Sequence, residues 1–354
     1  MRSESAPVIL SLSGVTKRFG ALVANQGIDL DLRRGEIVAL LGENGAGKTT
    51  LMNILFGHYV ADGGSIRVAG SDGALRDLPQ GSPRAALEAG IGMVHQHFAL
   101  AESLTVLENV VLGTRSLAVP SLGLREARAR LLALARDTGL VVRPDERVSR
   151  LAVGERQRVE ILKVLFRGAR ILVLDEPTAV LTPQEADGLF AVLRRLRDSG
   201  LAVVFISHKL REVLALADRV AVLRGGRKVA DRPVAGADRA MLAALMIGRE
   251  IPASLREARP AGAPLLRLDR VSTPAVAGQA PLRDATLEAR EGEIVGIAGV
   301  SGNGQAALAA LVAGTTRARG GRVTLFGAPL PGSPGGVVQA GVARIPEDRH
   351  HEGV

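Results

Sequence analysis

The 354-residue sequence predicts an α/β protein with a mainly parallel central sheet, followed by a partial second copy of the same architecture. Three observations carry this expectation. Short apolar, β-branched runs alternate with stretches of helical period. A glycine-rich turn joins one such run to a helix. A later segment then repeats the first without gaps. The length suggests two domains at roughly 100–200 residues each.

Taken in order, residues 36–41 (EIVALL) read as a buried strand and residues 49–56 as the helix behind it. Residues 122–139 are rich in Leu, Ala and Arg at helical spacing, and belong to an expected separate helical lobe over about 98–168. Residues 171–174 and 202–206 read as two further apolar strands. Pro183 opens a helix covering 184–197 between them, since proline suits the first helical turn. Residues 249–264 (REIPASLREARPAGAP) lack strong periodicity and read as a linker. The expected organisation is a first domain over 1–248, the linker, and an incomplete second domain over 265–354.

The repeat aligns EIVALLGENGAGKTTLMNILFG (36–57) with EIVGIAGVSGNGQAALAALVAG (293–314). The same offset of 257 residues sets Gly327 opposite Gly70.

The formal charge of +9 is carried mostly by arginine spread along the chain, which reads as compositional bias. With one Tyr, seven Phe and no Trp, an aromatic platform for stacking nucleic-acid bases is not expected. Cysteine is absent, which excludes disulfides and thiolate metal sites. The N-terminal residues show no apolar stretch of signal-peptide length. No run approaches 20 apolar residues, so any membrane path is expected to belong to a partner.

Gly42, Glu43, Asn44, Gly45, Ala46, Gly47, Lys48 and Thr49, followed by Thr50, fit G-x-x-x-x-G-K-[ST] between a strand and a helix. Glycines let successive N–H groups curl toward phosphate oxygens, and the helix N-terminus adds favourable partial charge. Lys48 supplies a mobile charge for the β- and γ-phosphates, and Thr49 a hydroxyl for Mg²⁺. Ile171-Leu172-Val173-Leu174 ends on Asp175 and Glu176. Paired acids at the end of a buried strand are costly unless used. Asp175 suits Mg²⁺, and Glu176 suits a general base for the attacking water.

With these motifs in place, the chain resembles the ATP-binding cassette family along its whole length. Leu151-Ala152-Val153-Gly154-Glu155 resembles the family's signature loop. Gln96, in Met93-Val94-His95-Gln96-His97-Phe98, matches its glutamine lid, and His208 its switch histidine. Phe19 matches the aromatic that stacks on adenine. The resemblance implies a P-loop NTPase fold with an antiparallel β subdomain and a helical lobe. It also implies ATP and Mg²⁺ as cofactors, with Glu176, His208 and Gln96 catalytic and Thr49, Gln96 and Asp175 at the metal. His95 and His97, on alternate positions, offer too few ligands for a metal of their own.

In this family two nucleotide domains meet head to tail, each phosphate loop facing the other's signature. In the repeat, Gln305 replaces Lys48 and Ala306 replaces Thr49, so hydrolysis is not expected at the second loop. Ala152 stands where the family usually has Ser. The tandem arrangement resembles importers of simple sugars and nucleosides, and residues 92–98 with Gly302-Asn303-Gly304-Gln305 favour the nucleoside branch. Glu347 falls opposite Gln96. A second signature and carboxylate pair would fall near 411 and 432, so the second copy is expected to be truncated.

The implied partners are transmembrane permease subunits, an extracytoplasmic solute-binding protein and a second nucleotide-binding domain, within the chain or in a homodimer. No nucleic acid is expected. The implied location is peripheral, on the cytoplasmic face of the plasma membrane. The competing readings are a soluble twin-cassette ATPase acting on ribosomes or DNA, and a fragment that binds ATP without hydrolysing it.

Overall fold

The structure is a computed structural model that describes residues 6–95, 98–114, 123–248, 260–275, 280–299 and 302–346. The chain forms two compact units, Met1–Pro252 and Ala253–Val354.

The first unit begins with β1 (Val8–Phe19), β2 (Leu22–Arg33), β3 (Ile37–Leu41), α1 (Lys48–Phe56), β4 (Gly63–Ala69), β5 (Leu75–Asp77), α2 (Pro83–Glu88) and β6 (Ile91–Val94). Then come α3 (Val106–Val111), α4 (Leu124–Thr138), α5 (Val153–Phe166), β7 (Ile171–Asp175) and α6 (Pro183–Asp198). It closes with β8 (Ala202–Ile206), α7 (Leu210–Leu216), β9 (Arg219–Arg224), β10 (Arg227–Pro233) and α8 (Arg239–Ile247).

Six strands form the central sheet in the order β10-β9-β3-β8-β7-β6, parallel except for β10. A second, antiparallel sheet has the order β2-β1-β4-β5. β3, β7 and β8 are buried along their whole length, which is why they read as continuous apolar runs. Successive side chains point to opposite faces, so each strand feeds two cores. Ile37, Ala39 and Leu41 join α3 to α8 on one face. Val38 and Leu40 join α1, α2 and the antiparallel sheet on the other.

The expected separate lobe shares its core with the sheet. Leu131, Val148, Val159 and Leu162 belong to the same apolar cluster as Leu172, Leu174 and Phe205. The reason is α5, whose buried face meets both α3 and the strand β6, where Gly92 leaves room for Val164. Among the described residues, no helix is long and apolar enough to cross a membrane.

The second unit contains β11 (Pro264–Ser272), β12 (Ala285–Arg290), α9 (Gln305–Val312), β13 (Gly320–Leu325), β14 (Ala328–Pro329) and α10 (Pro334–Gln339). Its sheet order, β12-β11-β13-β14, has the pattern of β2-β1-β4-β5. Local details recur at the 257-residue offset. Glu36 accepts from Arg33 N at 2.8 Å, and Glu293 from Arg290 N at 2.9 Å. Gly47 and Gly304 precede their helices at the same φ of 98°. Within the expected linker, Gly262 and Ala263 already bond to the Glu291 backbone and Pro264 lies in β11. Residues 249–259 of the expected linker lie outside the described residues.

One expectation from the repeat fails. Residues 293–299, aligned with β3 and its loop, form no strand, and Ile294 is 82% exposed. β3 is a strand because β8 and β9 flank it. Among the described residues of the second unit, no strand flanks 293–299.

Candidate functional site

The phosphate loop lies between the end of β3 and α1. Gly47 takes a left-handed φ of 98°, and a Cβ there would collide with the Ala24 carbonyl and lie 2.6 Å from Asn25 Nδ2. Fully buried Asn25 donates to Gly47 O at 3.1 Å, fixing the loop's last turn against β2. Lys48 is buried and turned back on the loop, its Nζ donating to Gly42 O and Glu43 O, both at 2.8 Å. Burial pulls the Lys48 ammonium below its usual range, against the charges of Glu176 and Asp175. The side chain of Thr49 is exposed and that of Thr50 half-buried.

Asp175 ends β7 in a buried setting. Its carboxyl is pushed up by burial and by the neighbouring Glu176 charge, and held down by Lys48. Glu176 follows at a positive φ of 47°. A non-glycine residue in this region carries about 1–3 kcal/mol of strain. Backbone bonds over-determine the position, since Glu176 N donates to Ile206 O and Ala179 N to Glu176 O, both at 3.1 Å. Across the next loop, His208 Nδ1 lies 2.9 Å from Glu176 Oε1. Strands β7 and β8 therefore bring the second carboxylate and the histidine into direct contact.

Phe19 ends β1 and is already engaged. Tyr59 packs edge-to-face on it at 5.4 Å, and Lys17 Nζ lies 5.3 Å from its ring centre. Asp62 holds Lys17 at 3.0 Å.

Leu151, Ala152, Val153, Gly154 and Glu155 form the turn into α5. Among the described residues, no hydrogen bond or ion pair joins them to the loop, Asp175, Glu176 or His208. Ala152 is the N-cap, in extended conformation, and has no side-chain acceptor for the helix. Glu155 supplies only the reverse bond, accepting Ala152 N at 3.0 Å.

Gln96 and Glu347 lie outside the described residues, as does His97. His95 stacks on His58 at 5.6 Å, with Phe56 edge-on to both. Burial holds the His95 imidazole below its ordinary range, helped by the charges of His58 and Lys163. Past the gap, Lys163 of α5 donates to Ala99 O at 2.7 Å, and Asn109 of α3 bonds to both Ala101 N and Ala101 O. The segment after Gln96 is thus fastened to the lobe.

Sequence reasoning missed Asn25, Tyr59, Thr178, Ser207 and Glu212. None carries a local pattern that separates it from an ordinary polar or aromatic residue.

A family model described as ABC transporter matches residues 25–179. The glucose import ATP-binding protein TsgD13 of Haloferax volcanii is 45% identical across 97% of this chain and 67% of its own length. The chain belongs to the ABC transporter family. The nucleoside import ATP-binding protein NupA of Lactococcus lactis is another ABC relative, 40% identical across 98% of this chain and 68% of its own. The chain spans about two thirds of the length of both. Among solved ABC structures, cbiO1 from Clostridium perfringens aligns at 26% identity and a TM-score of 0.56, over 64% of this chain and 89% of its own. The cassette MJ1267 aligns at a TM-score of 0.60 and 24% identity, over 69% of this chain and 99% of its own, and shows the fold.

Proposed function

We propose that this chain is the ATP-binding and hydrolysing subunit of an importer for nucleosides or simple sugars. The observation that carries it is the convergence of Lys48, Asp175, Glu176 and His208 beside a loop that only glycine can follow at Gly47. The printed names of the relatives, glucose and nucleoside import, support the transport role.

In this reading the N–H groups of Gly42–Thr50 and the Lys48 ammonium grip the phosphates, and Phe19 stacks on the base. Lys48 is held by two carbonyls, so a phosphate oxygen replaces weak acceptors with a charged one. Glu176 takes the proton from the water that attacks the γ-phosphate, as the bond to the β–γ bridging oxygen breaks. His208, hydrogen-bonded to Glu176, orients that carboxylate. Gln96 is assigned a catalytic and metal-binding role by the resemblance alone.

Thr49, Asp175 and Gln96 supply only oxygen donors, which suits Mg²⁺. Burial and the Glu176 charge raise the Asp175 carboxyl, and the Lys48 charge opposes them. Mg²⁺ bound there supplies charge for the phosphate oxygens.

We read 265–354 as a degenerate partial second cassette. Gln305 occupies the place of Lys48, and its Oε1 accepts Asn303 N at 3.1 Å, engaging a loop amide that a phosphate would use. Ala306 has no hydroxyl for a metal. Partners then include a second nucleotide domain presenting a signature to Lys48, permease subunits, and an extracytoplasmic solute-binding protein. The location is peripheral, on the cytoplasmic side of the membrane.

The test is Glu176→Gln. ATP binding persists and turnover is lost. Hydrolysis at the parental rate refutes the assignment of Glu176.

A further inference from the structure

Glu176 and His208 sit on two different loops, and a third element joins those loops. Glu212, in the first turn of α7, is a buried carboxylate with both oxygens engaged. Thr178 Oγ1 donates to Glu212 Oε1 in a short hydrogen bond, and Ser207 Oγ donates to Oε2 at 2.8 Å. Both hydroxyl residues are only 2% exposed. Lys209 closes the network, its Nζ lying 3.3 Å from Glu212 Oε1 and donating to Thr178 O at 2.9 Å. Lys209 N also donates to Ser207 Oγ at 3.0 Å.

The chain positions give the network its meaning. Thr178 lies two residues after Glu176, and Ser207 and Lys209 flank His208 on either side. One carboxylate therefore fixes the spacing of the two loops whose side chains meet at 2.9 Å. A buried carboxylate without partners is costly, so the network favours one arrangement. Neither Thr178 nor Glu212 is part of the Glu176–His208 contact itself.

We propose that Glu212 and Thr178 are positioning residues for hydrolysis, holding the Glu176 and His208 loops in register. This rests on the reading of Glu176 and His208 given above. Loss of the clamp leaves the phosphate loop intact, so nucleotide binding is spared while the placement of the base is not.

The test compares Glu212→Gln, Thr178→Val and Thr178→Ser in the full chain. Turnover and the ATP KM are measured, together with the imidazole ¹³Cε1–¹H resonance of His208, assigned by its loss in His208→Gln. Glu212→Gln and Thr178→Val lower kcat about 10- to 100-fold, the effect of displacing a reacting group by about 1 Å. The KM for ATP stays within about twofold, because ground-state binding is untouched. Both variants move the His208 resonance from its parental position. Thr178→Ser returns the hydroxyl and recovers rate and resonance together. The resonance is read without nucleotide, so it reports on the clamp whether or not the preparation turns over.

Parental kcat and resonance in folded Glu212→Gln and Thr178→Val overturn the proposal. Equal losses in Thr178→Ser and Thr178→Val also overturn it, since a packing role would not be rescued by a hydroxyl. Glu176→Gln keeps the two failures apart. Turnover that survives Glu176→Gln overturns the general-base reading. Turnover lost there but intact in Glu212→Gln overturns the clamp alone.

Discussion

Substituting alanine at Gly47 and at Gly45 separates two physical effects within one loop. Both glycines have left-handed backbones, φ 98° and 81°, but only at Gly47 does a Cβ meet other atoms. At Gly45 the space is open, so Gly45→Ala bears only the conformational penalty, about 1–2 kcal/mol. Gly47→Ala bears the same penalty and also drives a methyl into the Ala24 carbonyl and the Asn25 amide. Overpacking of this kind adds about 1–3 kcal/mol. The Asn25 bond to Gly47 O at 3.1 Å is displaced as well. Urea denaturation followed by circular dichroism reads the difference between the variants as about 1–3 kcal/mol. Titration with ATP reads a second effect, at least about tenfold weaker binding in Gly47→Ala than in Gly45→Ala, or 1.4 kcal/mol. Equal stability and equal affinity in the two variants would refute the claim that the Ala24–Asn25 wall sets the shape of the loop.

Ala152→Ser supplies the missing acceptor at the N-cap of α5 and completes the box begun by Glu155. It stabilises the first unit by about 1 kcal/mol, seen as a higher thermal midpoint. Lys48→Ala weakens ATP binding, read by calorimetry, because the phosphate loses its charged donor. For Asp175, burial and the Glu176 charge raise the folded-state pKa above the ordinary 3.8. The unfolded chain therefore ionises first as pH rises, and the penalty grows above pH 3.8 until the folded-state pKa is passed. Asp175→Asn removes that penalty, so its thermal midpoint exceeds the parent's at pH 7 and converges with it below pH 3.8. A constant difference at all pH values would count against burial as the cause.

The strands carrying the site were legible because burial on both faces leaves a continuous apolar run, as in Ile171–Asp175 and Ala202–Ile206. The phosphate loop was legible because its backbone geometry demands glycine at fixed spacing. Residues 293–299 show the limit of this reasoning. Their sequence matches β3 closely, but a strand exists only where neighbouring strands complete its hydrogen bonds, and no local pattern records that. Asn25 and Glu212 mark a second limit. An isolated polar residue declares nothing until the fold shows which carbonyl or hydroxyl it faces. The packing of α5 on β6 was illegible for a related reason, since helical period does not say what a buried face meets.

The double burial of β3 has a mechanical consequence. A slip of one residue would exchange its two faces, exposing each core to the other's side chains, and carry the phosphate loop about 3.3 Å along the sheet. No small displacement of the loop is available between these states. Around the signature, Arg156 meets Glu102 at 2.8 Å and Lys163 meets Ala99 O at 2.7 Å, polar links within residues 98–168, while α5 itself is packed into the core it shares with the sheet. The phosphate loop is therefore held in one register by two cores at once.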